Sequence, residues 1–199
     1  MKKRIIALAL AAMLSLGSFQ MVNAGAGLDS AGEGNEIAVE SVSIALANDT
    51  KEGKYKLVDT ATLKAWSDKG TNMVVIDTMP GDWFAERHIP GAINAFAPLK
   101  GETYTKADKA NLLKQVEAAC KVKKNGKTKI DKNKKIVVYC GFVKCTRSHV
   151  AAKYLVSKGY KNVYRQPGGI SSWIDAGYAI EGTDAAPVEE ETPVETPAN

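Results

Sequence analysis

Two thiols and two cations share one short run of this chain, Cys140-Gly141-Phe142-Val143-Lys144-Cys145-Thr146-Arg147. Before it, Ile136-Val137-Val138-Tyr139 reads as a strand buried on both faces. After it, a helix is expected from about Ser148 to Lys158, with Gly159 at its C-terminal stop. A loop between a strand and a helix N-terminus turns backbone N–H groups inward and receives the partial positive charge of the first helical turn. A cysteine at the mouth of such a cradle is favoured as thiolate, and so is an anionic group carried on its sulfur. Lys144 and Arg147 add full charges of the same sign. The Arg147 fork suits either an oxyanion or the carbonyls of its own loop. The expected chemistry is nucleophilic attack by Cys140, with Gly141, Phe142, Val143, Lys144, Cys145, Thr146 and Arg147 binding the substrate. Cys145 has three open roles: resolving an adduct on Cys140, forming a reversible disulfide with it, or packing the loop. Cys120 falls on or just after an amphipathic helix and reads as structural.

The elements that must position this run alternate between strand and helix. Met73-Val74-Val75-Ile76-Asp77 is a second short apolar run of the doubly buried kind. Asp59 or Thr60 caps a helix through Trp66 and Ser67 that stops at Gly70. Pro80-Gly81 marks a loop, and His88-Ile89-Pro90-Gly91-Ala92 a turn leading to a strand over residues 93–96. Thr105-Lys106-Ala107-Asp108 opens a helix with Leu112, Leu113, Val116 and Ala119 on its apolar face. A lysine-rich loop with an Asn125-Gly126 turn comes next. Asn162-Val163-Tyr164 is a further strand, and Gly168-Gly169 opens a last helix carrying Trp173, which is expected in the core. Alternating short strands and helices indicate an α/β layer fold around a mainly parallel sheet.

The ends of the chain differ from this middle. Lys2, Lys3 and Arg4 precede an apolar stretch over residues 5–19, and Val22-Asn23-Ala24 supplies small residues for cleavage. Residues 1–24 are therefore expected to be a signal peptide that directs a mature chain to the periplasm or outside the cell, with no membrane anchor remaining. Losing those three cations takes the net charge from +5 to +2, too little to suggest nucleic acid as a partner. Residues 25–52 read as a linker with an edge strand over the alternating Ile37–Ile44 stretch, 53–183 as the domain, and 184–199 as an acidic disordered tail. Residues 121–135 hold eight lysines, which would bear on function only by bordering the site mouth. Three cysteines in an oxidising compartment leave at least one unpaired within the chain, which favours a reactive thiol.

Val75-Ile76-Asp77-Thr78-Met79 and His88-Ile89-Pro90-Gly91-Ala92-Ile93-Asn94 resemble the first half of the rhodanese-like signature. Its second half is matched in order by Ile136 to Cys140, Arg147-Ser148, Ala151-Ala152, Gly159 to Tyr164 and Gly168 to Trp173. The resemblance extends over residues 53–182 and implies a single domain with a five-stranded sheet flanked by helices. It implies a cysteine, here Cys140, that cycles between thiolate and persulfide without a metal or cofactor. Sulfane sulfur would come from a small anion such as thiosulfate or polysulfide. It would pass to cyanide, sulfide, or the thiol of a partner protein or sulfur-metabolising enzyme. Two departures stand out. Six residues, not the usual four, separate Cys140 from Arg147, approaching the spacing of cysteine phosphatases and arsenate reductases, and Cys145 lies inside the loop. Those two activities, and a non-enzymatic persulfide carrier or redox module, are the alternative readings. Met79 stands where many relatives have arginine. Asp77 and His88 are expected to brace loops, and His149 faces either solvent or the pocket.

Overall fold

The structure, a computed structural model, describes residues 36–185. In chain order the elements are α1 (Glu36–Gly53), β1 (Lys56–Leu57), α2 (Thr60–Asp68), β2 (Met73–Asp77), α3 (Gly81–Glu86), β3 (Ile93–Asn94), α4 (Lys106–Ala119), β4 (Lys121–Lys124), β5 (Lys127–Ile130), β6 (Lys135–Tyr139), α5 (Arg147–Ser157), β7 (Val163–Arg165) and α6 (Gly169–Asp175). Five strands form one parallel sheet in the order β1-β7-β6-β2-β3.

The two apolar runs, β2 and β6, pair along their full length at the middle of the sheet. Alternate residues point to opposite faces, as the pleat requires. Val74, Ile76, Ile136 and Val138 pack with Leu112 and Val116 of α4 and with Ala152 and Leu155 of α5. Val75, Val137 and Tyr139 pack with Leu63 of α2, Ile89, and Ile170 and Trp173 of α6. Burial on both faces is why these strands read as unbroken β-branched runs rather than alternating ones. Their shared direction brings Asp77 into register with Tyr139 and places Cys140 at the carboxyl edge of the sheet, where open α/β sheets bind ligands.

The caps form where their residue types indicate. Asp59 accepts from the Thr62 N–H at 2.7 Å and Thr105 from that of Asp108 at 3.1 Å. Two expectations need correction. Residues 37–44 are not an edge strand but the first half of α1, whose Ile37, Val39 and Ile44 are exposed. Their alternation marks no buried face; α1 is held near its C-terminal end by polar contacts from Asp49 and Glu52. The lysine-rich stretch is not a loop but an antiparallel hairpin, β4–β5. Asn125 and Gly126 both take the left-handed backbone (φ of 53° and 72°) that two-residue hairpin turns require. This hairpin precedes β6 and so lies at the opposite end of that strand from Cys140. Its lysines do not border the site.

Residues 1–24, expected to be a signal peptide, residues 25–35 of the expected linker and residues 186–199 of the expected tail lie outside the described residues. Asp184, the first residue assigned to the tail, pairs with Arg87 at 3.0 Å. Among the described residues no helix is long and apolar enough to cross a membrane.

Candidate functional site

The run from Cys140 to Thr146 leaves β6, turns, and enters α5. Its first two carbonyls are held by α6: Ile170 N–H donates to the Cys140 oxygen at 2.9 Å, and Ser171 N–H to the Gly141 oxygen at 3.0 Å. This approach needs glycine at 169, where φ is +65° and a Cβ would lie 2.3 Å from the Cys140 oxygen. Cys145 N–H closes a turn on the Phe142 carbonyl at 2.9 Å, folding the second thiol back over the first. Thr146 Oγ1 donates to the Leu99 carbonyl and Arg147 Nη1 to the Ala97 carbonyl, each at 2.6 Å. The Arg147 guanidinium also covers the Phe96 ring at 5.0 Å. Of its two expected roles, Arg147 therefore shows the brace, though to a neighbouring segment rather than to its own loop.

Cys140, Cys145 and Met79 form one small buried cluster. Cys140 is fully buried and Cys145 is 4% exposed. Cys140 Sγ donates to the Cys145 carbonyl at 3.1 Å and lies 3.1 Å from Ser148 Oγ. Ser148 Oγ in turn accepts from Arg165 Nε at 3.0 Å, so its own hydrogen is free to point at the Cys140 sulfur. Arg165 is itself 1% exposed. It donates from Nη2 to the Cys145 carbonyl at 3.0 Å, and from Nη1 to Asp49 Oδ2 at 2.9 Å and Tyr55 Oη at 3.3 Å.

The two thiols are electrostatically unlike. The hydrogen bond to Cys145, then burial, then the charge on Cys145 push the Cys140 thiol well above the usual range. Cys145 is held down to about 6 by the hydrogen bond from Cys140, with the Gly141 and Arg147 backbone amides helping against burial. The loop amides expected to favour a Cys140 thiolate thus favour a Cys145 thiolate instead.

The family model of the rhodanese-like domain matches residues 50–176, a span that contains the whole sheet and the thiol loop. The chain belongs to the rhodanese-like family. Rhodanese-like domain-containing protein 14, chloroplastic, of Arabidopsis thaliana is 32% identical over 133 residues, covering 57% of this chain and 59% of that protein. Protein HIGH ARSENIC CONTENT 1, mitochondrial, of the same plant is 29% identical over 133 residues, covering 65% and 71%. The crystal structure of a thiosulfate sulfurtransferase from Pseudomonas aeruginosa superposes with a TM-score of 0.51 at 20% identity, over 68% of this chain and 22% of that one. That likeness shows the shared fold. The chain spans a little over half the length of the first of these relatives.

Within this rhodanese-like domain the loop separates two cavities. Gly141 and Phe142 line one of about 410 Å³ with Met79, Trp83, Arg87 and Ile174. Val143, Lys144 and Thr146 line another of about 320 Å³ with Leu46, Asp49 and Arg165. Phe142, Val143 and Lys144 are exposed on the rim. Ser148, Arg165, Tyr55 and Asp49 were not among the residues nominated from sequence. Arg165 carried a signal all the same: a charged residue at the end of an apolar strand is rarely buried without a partner.

The remaining nominated residues are engaged in packing and hydrogen-bond contacts away from the two thiols. His88 donates from Nδ1 to the Phe84 carbonyl at 2.7 Å, stacks on the Phe84 ring, and places Nε2 3.3 Å from Glu181. His149 is buried beside Tyr55 Oη (2.9 Å) and Glu52 (3.4 Å), and burial lowers its pKa. Trp173 is in the core with Nε1 on the Ala179 carbonyl at 2.8 Å, and Cys120 is fully buried against α4.

Asp77 is 1% exposed, accepts the Met79 N–H at 2.7 Å, and is pushed up to about 6 by burial, against the pull of that N–H. A carboxyl raised in this way favours the folded state fully below the unfolded pKa near 3.8 and loses that contribution as pH climbs through 6. Asp77→Asn is therefore expected to remove ~2–3 kcal/mol of the stability difference between pH 4 and pH 7.5. Urea unfolding at the two pH values reads this directly. An unchanged difference would show an ordinary carboxyl.

Proposed function

We propose that this protein is an exported sulfurtransferase that moves sulfane sulfur from thiosulfate or polysulfide to a thiophilic acceptor through a cysteine persulfide in the Cys140–Arg147 loop. The observation that carries this reading is the thiol pair itself. The two thiols share one small buried cluster, and Cys140 is backed by Ser148 and the buried Arg165. A thiolate in this setting attacks the outer sulfur of thiosulfate, and sulfite leaves with the electron pair of the broken S–S bond. The same donors then stabilise the persulfide anion. Position at the end of β6 nominates Cys140 as the carrier, whereas exposure favours Cys145.

The phosphatase reading is less well served. Arg147 is occupied by the Ala97 carbonyl, and protonating an alkoxide leaving group needs an acid that the loop itself does not contain. Incubation of the reduced protein with thiosulfate is expected to transfer one sulfur atom to a loop thiol, read as a persulfide by intact mass or as released sulfide, and substitution of both Cys140 and Cys145 by serine to abolish both signals. Absence of both signals, with turnover of an aryl phosphate or arsenate instead, would overturn the sulfurtransferase reading. Export rests on the basic start, the apolar stretch and Val22-Asn23-Ala24. A mature chain beginning at Gly25 in a periplasmic or culture fraction is the expected product.

A further inference from the structure

We propose that the two loop thiols act in series: Cys145 takes the sulfane sulfur, and Cys140 then attacks Cys145 and expels that sulfur as hydrosulfide. The product is a Cys140–Cys145 disulfide that an external dithiol reduces. This rests on the sulfurtransferase reading and adds an activity to it, the reduction of sulfane sulfur to sulfide at the expense of a dithiol.

Three features of the site support this order. Cys145 is the outer thiol, 4% exposed where Cys140 is 0%, and sits at the end of the turn that its own N–H closes on the Phe142 carbonyl. Cys140 lies beneath it, fully buried and pinned by the Cys145 carbonyl and Ser148. A bulky external acceptor cannot reach a thiol so placed, but Cys145 shares its small buried cluster, and the Cys145 carbonyl accepts from it at 3.1 Å. The turn from Phe142 to Cys145 brings the two together, which makes the second attack intramolecular and correspondingly fast. Finally, the Cys140 sulfur has its own means of bearing charge. The Ser148 hydroxyl faces it and is held by Arg165.

The steps balance. In the first, the Cys145 thiolate bonds to the outer sulfur of thiosulfate and sulfite departs, leaving a Cys145 persulfide anion. In the second, the Cys140 thiol gives its proton to the outer sulfur and forms a bond to Cys145 Sγ. The bond between that Sγ and the outer sulfur breaks, and hydrosulfide leaves with the electron pair. The sulfane sulfur gains two electrons and the two cysteines lose them. In the third, an external dithiol exchanges with the new disulfide and becomes oxidised.

The test is a single turnover with the reduced full chain, thiosulfate and no added reductant, under anaerobic conditions. The wild type is expected to release about one sulfide per chain and to lose both loop thiols to a disulfide found by peptide mapping. Cys140→Ser keeps a donor beside Cys145, and it is expected to load a stable persulfide at Cys145 while releasing sulfide more than ~100-fold more slowly. Cys145→Ser is expected not to load. Because loading itself reports an intact site, the Cys140→Ser result is readable without a separate folding control. Ser148→Ala, a positioning change, is expected to slow sulfide release by a larger factor than it slows loading, and Ser148→Thr to restore it. Loading of Cys140 in Cys145→Ser, or undiminished sulfide release from Cys140→Ser, would overturn the serial order while leaving the sulfurtransferase reading intact. Failure of the wild type to load sulfur at all would instead remove that reading, and the serial order with it.

Discussion

Replacing Arg165 by methionine is expected to destabilise the domain by about 3 kcal/mol and to disorder the thiol loop. The guanidinium is 1% exposed and serves four acceptors at once: Asp49 Oδ2, Tyr55 Oη, Ser148 Oγ and the Cys145 carbonyl. Burial alone would drive Arg165 towards losing its proton; Tyr55, Cys140 and Asp49 outweigh that tendency and keep it charged. Methionine fills much of the same volume but leaves the buried Ser148 and Cys145 oxygens without this donor, and unmade buried hydrogen bonds cost more than made ones return. Lysine should rescue poorly, because one ammonium cannot match the fixed fork of donors. Asp49→Ala should cost less, since the Asp49 side chain is 26% exposed and water can replace it on its own side. Urea unfolding separates the three variants. A loss below ~1 kcal/mol for Arg165→Met would mean that the network does not hold the loop.

The Arg165 network also marks where the sequence stops being readable. The sheet was legible because its cause is local: Met73–Asp77 and Lys135–Tyr139 carry apolar side chains on both faces, and Asp59 and Thr105 announce the helices that cover them. The strand–loop–helix arrangement around Cys140 was legible for the same reason. α1 was not, because its attachment depends on Asp49 meeting Arg165 and Glu52 meeting His149 and Lys153, partners about a hundred residues away that leave no periodic trace. The hairpin was missed because lysine is a poor strand former, and only the backbone of Asn125-Gly126 turns the chain back on itself. Within the loop, residue order nominated Cys140. Which thiol faces outward depends instead on a turn between Phe142 and Cys145 and on a side chain arriving from β7, neither of which spacing encodes.

That difference between the thiols has a measurable pH signature. A free cysteine titrates near 8.5, so at pH 6 well under one percent of it is thiolate. Cys145, held to about 6, is expected to be about half thiolate there, a gain of roughly 100-fold in the reactive species. Its alkylation by iodoacetamide, followed by peptide mapping, should rise tenfold per pH unit below 6 and level off above 7. The hydrogen bond from Cys140 is the largest cause of the depression. Cys140→Ala should therefore move the midpoint upward by more than Arg147→Met does, because Arg147→Met keeps the backbone amide and loses only the guanidinium charge. Cys140→Ser, which retains a donor, should fall between wild type and alanine. A midpoint near 8.5 in the wild type would mean that the loop does not hold a thiolate at all. A midpoint near 6 that Cys140→Ala leaves unmoved would place the stabilisation in the backbone amides alone. Cys140 would then be a passive neighbour in the resting state, and only the single-turnover release of sulfide could still give it a chemical role.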